Sequence, residues 1–177
     1  HAMASEANAL AGEVANALDQ HAVVSTAHGR IWAYEIDGFG GRVLMDDANV
    51  PSLLSLPYLD SSPDAAIYAN TRRFVWSKNN PWFFKGPLFE GIGSPHTGPD
   101  RIWPISQIIY ALTSDSDAEI SRSIRMLKSA SAGTGFMHES YKMDNPTSYT
   151  RDWFAWANSL FGELMGRTVK TIPGLLA

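Results

Sequence analysis

Apolar residues recur at helical spacing near the start of the chain, between Ser5 and Val24. Ser5 is a good residue for a helix N-cap, and an apolar face repeats every three or four positions after it. The face consists of Ala7, Leu10, Val14, Ala17 and Leu18. We expect this face to lie in the core rather than on a membrane, because almost no basic residues flank it.

Further helices are predicted downstream. Ser62, Pro63 and Asp64 suit the start of a helix that continues to Ser77. Its inner face would contain Ile67, Phe74 and Val75.

An antiparallel pair of helices is predicted next, over Ile102 to Thr113 and Ser116 to Ala130. Ser116 and Glu119 have the spacing of a capping box. Thr150 is predicted to cap a last helix with a wide apolar face. That face would contain Trp153, Phe154, Trp156, Leu160, Phe161 and Leu164.

Strand-like alternation is found in Arg30 to Asp37, where apolar and polar residues take turns. Gly38 to Gly41 gives the backbone freedom for a reversal, and Arg42 to Met45 is predicted to return as the second strand of a β-hairpin. A short helix is expected after it, with Asn49 at the N-cap and Pro51 in the first turn.

The segment from Asn79 to Asp100 is rich in Gly and Pro, and we predict that it lacks regular structure. Long loops in compact domains often carry function. The aromatic cluster Trp82, Phe83 and Phe84 is more typical of packing than of a sugar platform. His96 is a poor core residue on a loop held by Gly and Pro, which favours a hydrogen bond to substrate.

The succession of helices, with polar residues on the loops between them, predicts a mainly α fold with one domain over residues 5–177. We interpret residues 1–4 as a cloning remnant. Hydrophobic residues make up 45% of the chain, enough for a packed core.

The composition of the chain argues against several classes of protein function. A net charge of -4 argues against nucleic-acid binding, which needs clustered Lys and Arg. The chain has no cysteine, so the cellular compartment is not indicated. No apolar run reaches the ~18 residues of a membrane span. Neither a His-x-x-x-His pair nor an Asp-x-Asp-x-Asp pattern is present, so we expect no metal and no other cofactor.

Two acidic positions are candidates for chemistry. Glu139 follows His138 and the apolar Phe136, so its carboxylate is predicted to lie beside an apolar wall, where it would suit acid-base work. A plain surface carboxylate at a strand end is the alternative. Asp46 and Asp47 precede the predicted short helix, where they would either interact with its N-terminal dipole or bind sugar.

Four sequence blocks resemble one enzyme family, the exo-α-1,6-mannosidases of glycoside hydrolase family 125. The blocks are GTGFMHES (Gly133 to Ser140), TRDWFAWANSLFGEL (Thr150 to Leu164), YEIDGFGGRVLMDDANVPSLLSLPYL (Tyr34 to Leu59) and GIGSPHTGPDRIWPIS (Gly91 to Ser106). The resemblance implies an (α/α)6 toroid and an inverting mechanism that needs no metal. It covers most of the chain, in the right order.

The resemblance also implies residue roles. Glu139 in MHES matches the general base that activates water. Positions expected to bind substrate, a mannose-containing glycan, are Asp46, Asp47, Asn49, His96, Thr97, His138 and Trp153. The family's general acid lies in an upstream block resembling RPSDD, which this sequence lacks. The chain is therefore expected to be the C-terminal part of a truncated or split enzyme.

If the chain is the C-terminal part of an enzyme, its expected partners follow, and so does an alternative function. The partner would be the missing N-terminal half, or a second copy that covers the exposed helices. The alternative function is a non-catalytic mannose-binding module, which would keep the sugar contacts and lack the acid.

Overall fold

The computed structural model describes residues 1–59, 64–172 and 174, and it is mainly helical, as predicted. The helices are α1 (Ala2–His21), α2 (Ala65–Val75), α3 (Pro104–Leu112), α4 (Asp117–Ala130) and α5 (Ala155–Thr171). The strands are β1 (Val23–Thr26), β2 (Gly29–Trp32), β3 (Glu35–Ile36), β4 (Arg42–Val43), β5 (Phe83–Lys85), β6 (Glu90–Ile92), β7 (Arg101–Ile102), β8 (Ser140–Lys142) and β9 (Asn145–Thr150).

All strand pairs are antiparallel. In the described part of the chain, three sheets have two strands each (β1-β2, β3-β4 and β5-β6), and one has three, in the order β7-β8-β9. Among the described residues these short sheets close no barrel, so the helices form the bulk of the core.

Helix α1 is exposed along its whole length, so the prediction that its apolar face is core was wrong. Leu10, Val14 and Leu18 leave 61%, 49% and 44% of their surface exposed. A helix buries its apolar face only where another element covers it, and α1 packs chiefly on the adjacent strand β1. In the described part of the chain, no helix is long and apolar enough to cross a membrane.

The first predicted helix is also too long at its C-terminal end. It ends at His21, because Val23 and Val24 enter β1 and pair with β2. The predicted strand over 30–37 is therefore split. Its first half pairs with β1, the strand that precedes it in the chain. Its second half forms the predicted hairpin, in which Glu35 lies opposite Val43.

The short helix predicted after Asn49 is absent, since residues 48–59 form turns and bends. Asn49 does not cap a helix. Its backbone N–H and its side-chain amide both donate to Oδ1 of Asp47, at 3.0 and 2.8 Å. The local structure is thus set by side-chain bonds to the backbone, which compete with helix formation.

Two predicted helix starts are confirmed at the residues that cap them. Asp64 Oδ1 accepts from the N–H groups of Ala66 and Ile67 at the start of α2. Ser116 Oγ accepts from the N–H of Glu119 at the start of α4. Both caps satisfy donors that a helix cannot satisfy itself. Ser62 and Pro63, also predicted at the start of α2, lie outside the described residues.

Helix α3 lies at the centre of the core, between α4 and α5. Ile105, Ile108 and Ile109 are almost fully buried, and burial of side chains of this size contributes about 1.5–3 kcal/mol each. Apolar side chains of the surrounding helices complete the cluster: Phe74, Val75, Leu127, Leu160 and Leu164.

The segment from Asn79 to Asp100 contains a β-hairpin, contrary to the prediction of irregular structure. Phe83 of β5 pairs with Ile92 of β6. Three of the glycines that suggested a loop, Gly86, Gly91 and Gly93, are instead required for close packing. A Cβ at Gly93 would lie 2.1 Å from the carbonyl oxygen of Arg101, so another residue would displace β7. The predicted packing role of the aromatic cluster is confirmed, because its rings pack against the core.

The hairpin β8–β9 occupies the region before the last helix, where no strand is predicted. Tyr141 lies opposite Tyr149, and Ser140 lies opposite Thr150. Thr150 therefore ends a strand and does not cap α5, which begins at Ala155.

Candidate active site

An open cleft of about 540 Å³ lies beside the end of the β8–β9 hairpin where residues 139 and 151 meet. It is lined by Asp47, Asn49, Ser94, Pro95, His96, Trp103, Glu139, Arg151, Phe154 and Trp156. Aromatic side chains next to a few polar groups are typical of sites that bind small polar molecules. Within the described residues, this cleft contains two carboxylates, Asp47 and Glu139.

Glu139 lies at the floor of the cleft, immediately before β8. Only 8% of its side chain is exposed, so it is not the surface carboxylate of the alternative interpretation. Its Oε1 is 3.0 Å from Nε of Arg151 and 3.9 Å from Nε2 of His96. A buried carboxylate requires such partners, since an unpaired charge in this position would be strongly destabilising.

Arg151 follows β9 and faces Glu139 across the hairpin. Its backbone adopts φ 55, in the left-handed region that non-glycine residues seldom occupy. Its side chain is 61% exposed, and the guanidinium carbon lies 5.7 Å from the centre of the Phe154 ring. The side chain thus connects the carboxylate at the floor of the cleft with the aromatic wall.

His138 lies beneath the cleft and is 1% exposed. Its ring stacks on Tyr149 with a centroid distance of 3.7 Å and an interplanar angle of 3°. Nδ1 lies 3.1 Å from the carbonyl oxygen of Arg151, and Nε2 lies 3.3 Å from that of Ser131. Both ring nitrogens of His138 therefore have hydrogen-bonding partners within the protein.

Asp47 forms the opposite side of the cleft. Oδ1 accepts two hydrogen bonds from Asn49, and Oδ2 accepts one from Ser94 Oγ at 3.2 Å. Ser94 Oγ in turn accepts from the backbone N–H of His96. This network joins the loop after β4 to the loop after β6, and it fixes the position of the Asp47 carboxylate.

Asp46 lies behind Asp47 and is fully buried. Its two oxygens accept from the N–H groups of Leu53 and Leu54 at 2.9 and 3.0 Å. The Asn80 side chain bonds both the N–H and the carbonyl of Asp46. Burial raises the pKa of Asp46 to about 7, although the backbone hydrogen bonds act in the opposite direction.

His96 and Trp103 form a third side of the cleft. The His96 side chain is 67% exposed, and its ring lies edge-on to Trp103 at 6.2 Å. The indole N–H of Trp103 donates to Thr97 Oγ1 at 2.8 Å. Phe154 also contacts Trp103 edge-on at 6.0 Å, so the aromatic wall is internally packed.

Comparison with known proteins identifies the family. The family described as metal-independent alpha-mannosidases (GH125) matches residues 1–166. The chain belongs to GH125. The meiotically up-regulated gene 157 protein of Schizosaccharomyces pombe is 47% identical to the chain over 169 residues.

A solved GH125 structure has the same fold. It is a Streptococcus pneumoniae metal-independent alpha mannosidase in a non-productive substrate complex with alpha-1,6-mannobiose. It superposes with a TM-score of 0.90 at 40% identity over 94% of the chain. The chain spans only 33% of the S. pombe protein and 40% of the S. pneumoniae chain.

The structure brings half of the predicted GH125 site residues to the cleft, namely Asp47, Asn49, His96 and Glu139. Asp46 and His138 are almost fully buried and do not line the cleft, and the substrate contacts predicted for them stay predictions. The remaining two, Thr97 and Trp153, do not line the cleft: Thr97 accepts from the Trp103 indole, and Trp153 is 57% exposed.

Several cleft residues were missed by sequence reasoning. They are Ser94, Pro95, Trp103, Arg151, Phe154 and Trp156. All six lie inside the sequence blocks that resemble GH125, which was the available signal. Their side-chain types alone did not separate them from core or surface residues.

Proposed function

We propose that this chain is the C-terminal part of an exo-α-1,6-mannosidase that hydrolyses its substrate with inversion, and that Glu139 is its general base. The observation that carries the proposal is the buried carboxylate of Glu139 at the floor of an open, aromatic-lined cleft in a GH125 chain. In the complete enzyme, this chain would be joined to the part of GH125 proteins that it does not match.

The geometry of Glu139 suits water activation. Its contacts with Arg151 and His96 both reach Oε1. Among the residues that the structure describes, this leaves Oε2 to accept a proton from a water molecule in the cleft. An inverting glycosidase needs such a base on one side of the sugar and an acid about 6.5–9.5 Å away on the other.

The acid is proposed to come from outside this chain. Asp47 is the second carboxylate of the cleft, and both of its oxygens are already engaged in hydrogen bonds, Oδ1 with Asn49 and Oδ2 with Ser94. Asp46 has a raised pKa, but it is fully buried behind the cleft and cannot reach a substrate. The unmatched part of the family would supply the acid and complete an (α/α)6 toroid.

Sugar binding is proposed to use both kinds of cleft surface. Phe154 and Trp156 offer apolar faces to the C–H groups of mannose, while Asn49 and His96 offer hydrogen bonds to its hydroxyls. Support for α-1,6-linked mannose comes from the S. pneumoniae structure, whose complex contains alpha-1,6-mannobiose.

The chain's N-terminal surface is the proposed contact with the rest of the enzyme. Large apolar side chains are exposed there: Met3, Leu10, Val14, Leu18, Phe39, Val43, Leu44 and Leu59. Nearby, the buried indole nitrogen of Trp32 has no hydrogen-bond partner among the described residues. An apolar surface of this kind would be covered by the missing half, or by a second copy when that half is absent.

The test is the Glu139→Gln variant of the complete enzyme, assayed on an α-1,6-linked dimannoside. We expect turnover to fall about 10²-fold or more, because the amide cannot take a proton from water. Mannose affinity is expected to stay within about threefold, since the replacement keeps the size of the side chain.

Exposed Asp144 in the turn between β8 and β9 provides a control carboxylate, and Asp144→Asn is expected to have no effect. Near-normal turnover of Glu139→Gln would contradict the assignment of the base.

A non-catalytic mannose-binding module is the second candidate. The observation that favours it is that neither Asp46 nor Asp47 is placed to act as the acid. A mannose titration of the chain, followed by NMR, separates the candidates when run beside the turnover assay. Binding by the chain together with no turnover by the complete enzyme would support the module.

A further inference from the structure

We infer that Arg151 and His138 act together as positioning residues for the Glu139 carboxylate. Arg151 binds the carboxylate directly, and His138 holds the backbone of Arg151 from beneath. The inference rests on the proposed role of Glu139 and extends it to two residues that have no other assigned role in the reaction.

The first link is the contact between Arg151 and Glu139. Nε of Arg151 lies 3.0 Å from Oε1, the distance of a charge-assisted hydrogen bond. Because this bond fixes Oε1, it also sets the direction in which Oε2 points into the cleft. A base displaced by as little as 1 Å loses much of its efficiency, so this bond is more than a charge pair.

The second link is the conformation of Arg151. A left-handed backbone is unfavourable for a non-glycine residue and persists only where its surroundings hold it. His138 supplies a contact at this position, since Nδ1 lies 3.1 Å from the carbonyl oxygen of Arg151. A donated N–H at this nitrogen would fix the peptide that directs the guanidinium toward Glu139.

The third link is the fixed position of the His138 ring. It is held between the stacked Tyr149 ring and the carbonyl of Ser131, and it is almost fully buried. Both ring nitrogens face carbonyl oxygens. A neutral imidazole has one N–H and can donate to only one of them, whereas the doubly protonated ring donates to both. The inference requires a proton on Nδ1, because this nitrogen faces Arg151.

The first experiment reads the proton directly in the 177-residue chain. Long-range ¹H–¹⁵N NMR of ¹⁵N-histidine distinguishes a protonated ring nitrogen from a bare one, and loss of a signal in His138→Asn assigns it among the five histidines. We expect Nδ1 of His138 to be protonated near neutral pH. A bare Nδ1 would overturn the inference.

The second experiment compares two replacements of His138. In the asparagine variant the amide nitrogen occupies the place of Nδ1, so His138→Asn keeps the donor to Arg151, whereas His138→Leu removes it. The readout is the Nε–H resonance of Arg151, which is expected to be shifted and slow to exchange in the wild type and in His138→Asn. It should revert to the position of a free arginine in His138→Leu and in Glu139→Leu, whose side chain has no oxygen to accept the bond.

The third experiment measures kcat and KM for variants of the complete enzyme. His138→Leu and Arg151→Met are each expected to lower kcat by about tenfold or more with KM within about threefold, because the base is misdirected while the sugar contacts remain. His138→Asn and Arg151→Lys should recover most of the loss. Exposed Arg125→Met on α4 is the matched control for the arginine replacement.

Two results would refute the inference: an unchanged kcat in Arg151→Met, or equal effects of Leu and Asn at His138. Should His138→Leu not fold, the Arg151 pair and the Nδ1 measurement still decide. If the complete enzyme showed no turnover, the proposed function would be contradicted instead. The two NMR experiments on the chain would then test the positioning contacts independently of turnover.

Discussion

Replacing Asp46 with asparagine is expected to remove a large pH dependence of stability. The pKa of Asp46 rises from its ordinary value of 3.8 to about 7 in the folded protein, mainly because burial disfavours the ionised carboxylate. The folded state therefore holds its proton to higher pH than the unfolded state. The stability gained from this is complete below pH 3.8 and is lost as the pH rises toward about 7.

The size of the effect on the free energy of unfolding follows from the shift in the pKa of Asp46. A rise from 3.8 to about 7, at about 1.36 kcal/mol per pH unit, corresponds to about 4 kcal/mol of unfolding free energy. The amide of Asp46→Asn would not titrate, but it would lose one of the bonds to Leu53 and Leu54, at a cost of about 1–3 kcal/mol at every pH. The wild type should thus be the more stable protein near pH 4, and its advantage should shrink or reverse by pH 7.5.

The assay is urea unfolding followed by tryptophan fluorescence at half-unit steps from pH 4 to 7.5. Comparing wild type with Asp46→Asn cancels the titration of the other groups. Exposed Asp115→Asn is the control and should give a constant difference. If the difference between wild type and Asp46→Asn were also constant across this range, burial of the charge would not control the pKa and the reasoning would be refuted.

Two predictions concern catalysis. Prolonged treatment of the complete enzyme with EDTA should leave its activity intact, because the proposed mechanism uses a carboxylate base and no metal; a loss that one divalent ion restores would contradict it. The 177-residue chain alone should hydrolyse an α-1,6-linked dimannoside far more slowly than the complete enzyme, since Asp46 is fully buried and the Asp47 carboxylate is engaged by Asn49 and Ser94. Turnover within about tenfold would show that the acid resides in this chain.

The helices were the most predictable part of the fold at those ends that a nearby capping side chain determines. The side chains of Asp64 and Ser116 cap α2 and α4 as the sequence indicates, because a cap involves only residues two or three positions away. Helix α1 shows the limit of such signals. Its apolar spacing predicts a helix correctly, but whether Leu10 is buried depends on what packs against it.

The site was harder to predict, because its key pair is joined across strands. Glu139 stands out within a motif, yet its partner Arg151 lies 12 positions later, and the two meet only through the β8–β9 register. Asn145 to Thr150 contains Pro146 and mostly polar residues, so alternation gives no strand signal there. The burial of His138 depends on stacking with Tyr149, which the same register determines.

That register also limits how the sequence can change length. Ser140 lies opposite Thr150, so Glu139 and Arg151 follow as the next opposed positions at the end of the hairpin. An insertion of one residue between Glu139 and Tyr141, or between Tyr149 and Arg151, would turn the guanidinium to the opposite face of the sheet and separate it from the carboxylate. An insertion in the turn at Met143 and Asp144 would leave the pair in place. Homologous sequences that keep this pair should therefore vary in length between Lys142 and Ser148 and carry no gaps from Glu139 to Tyr141 or from Tyr149 to Arg151.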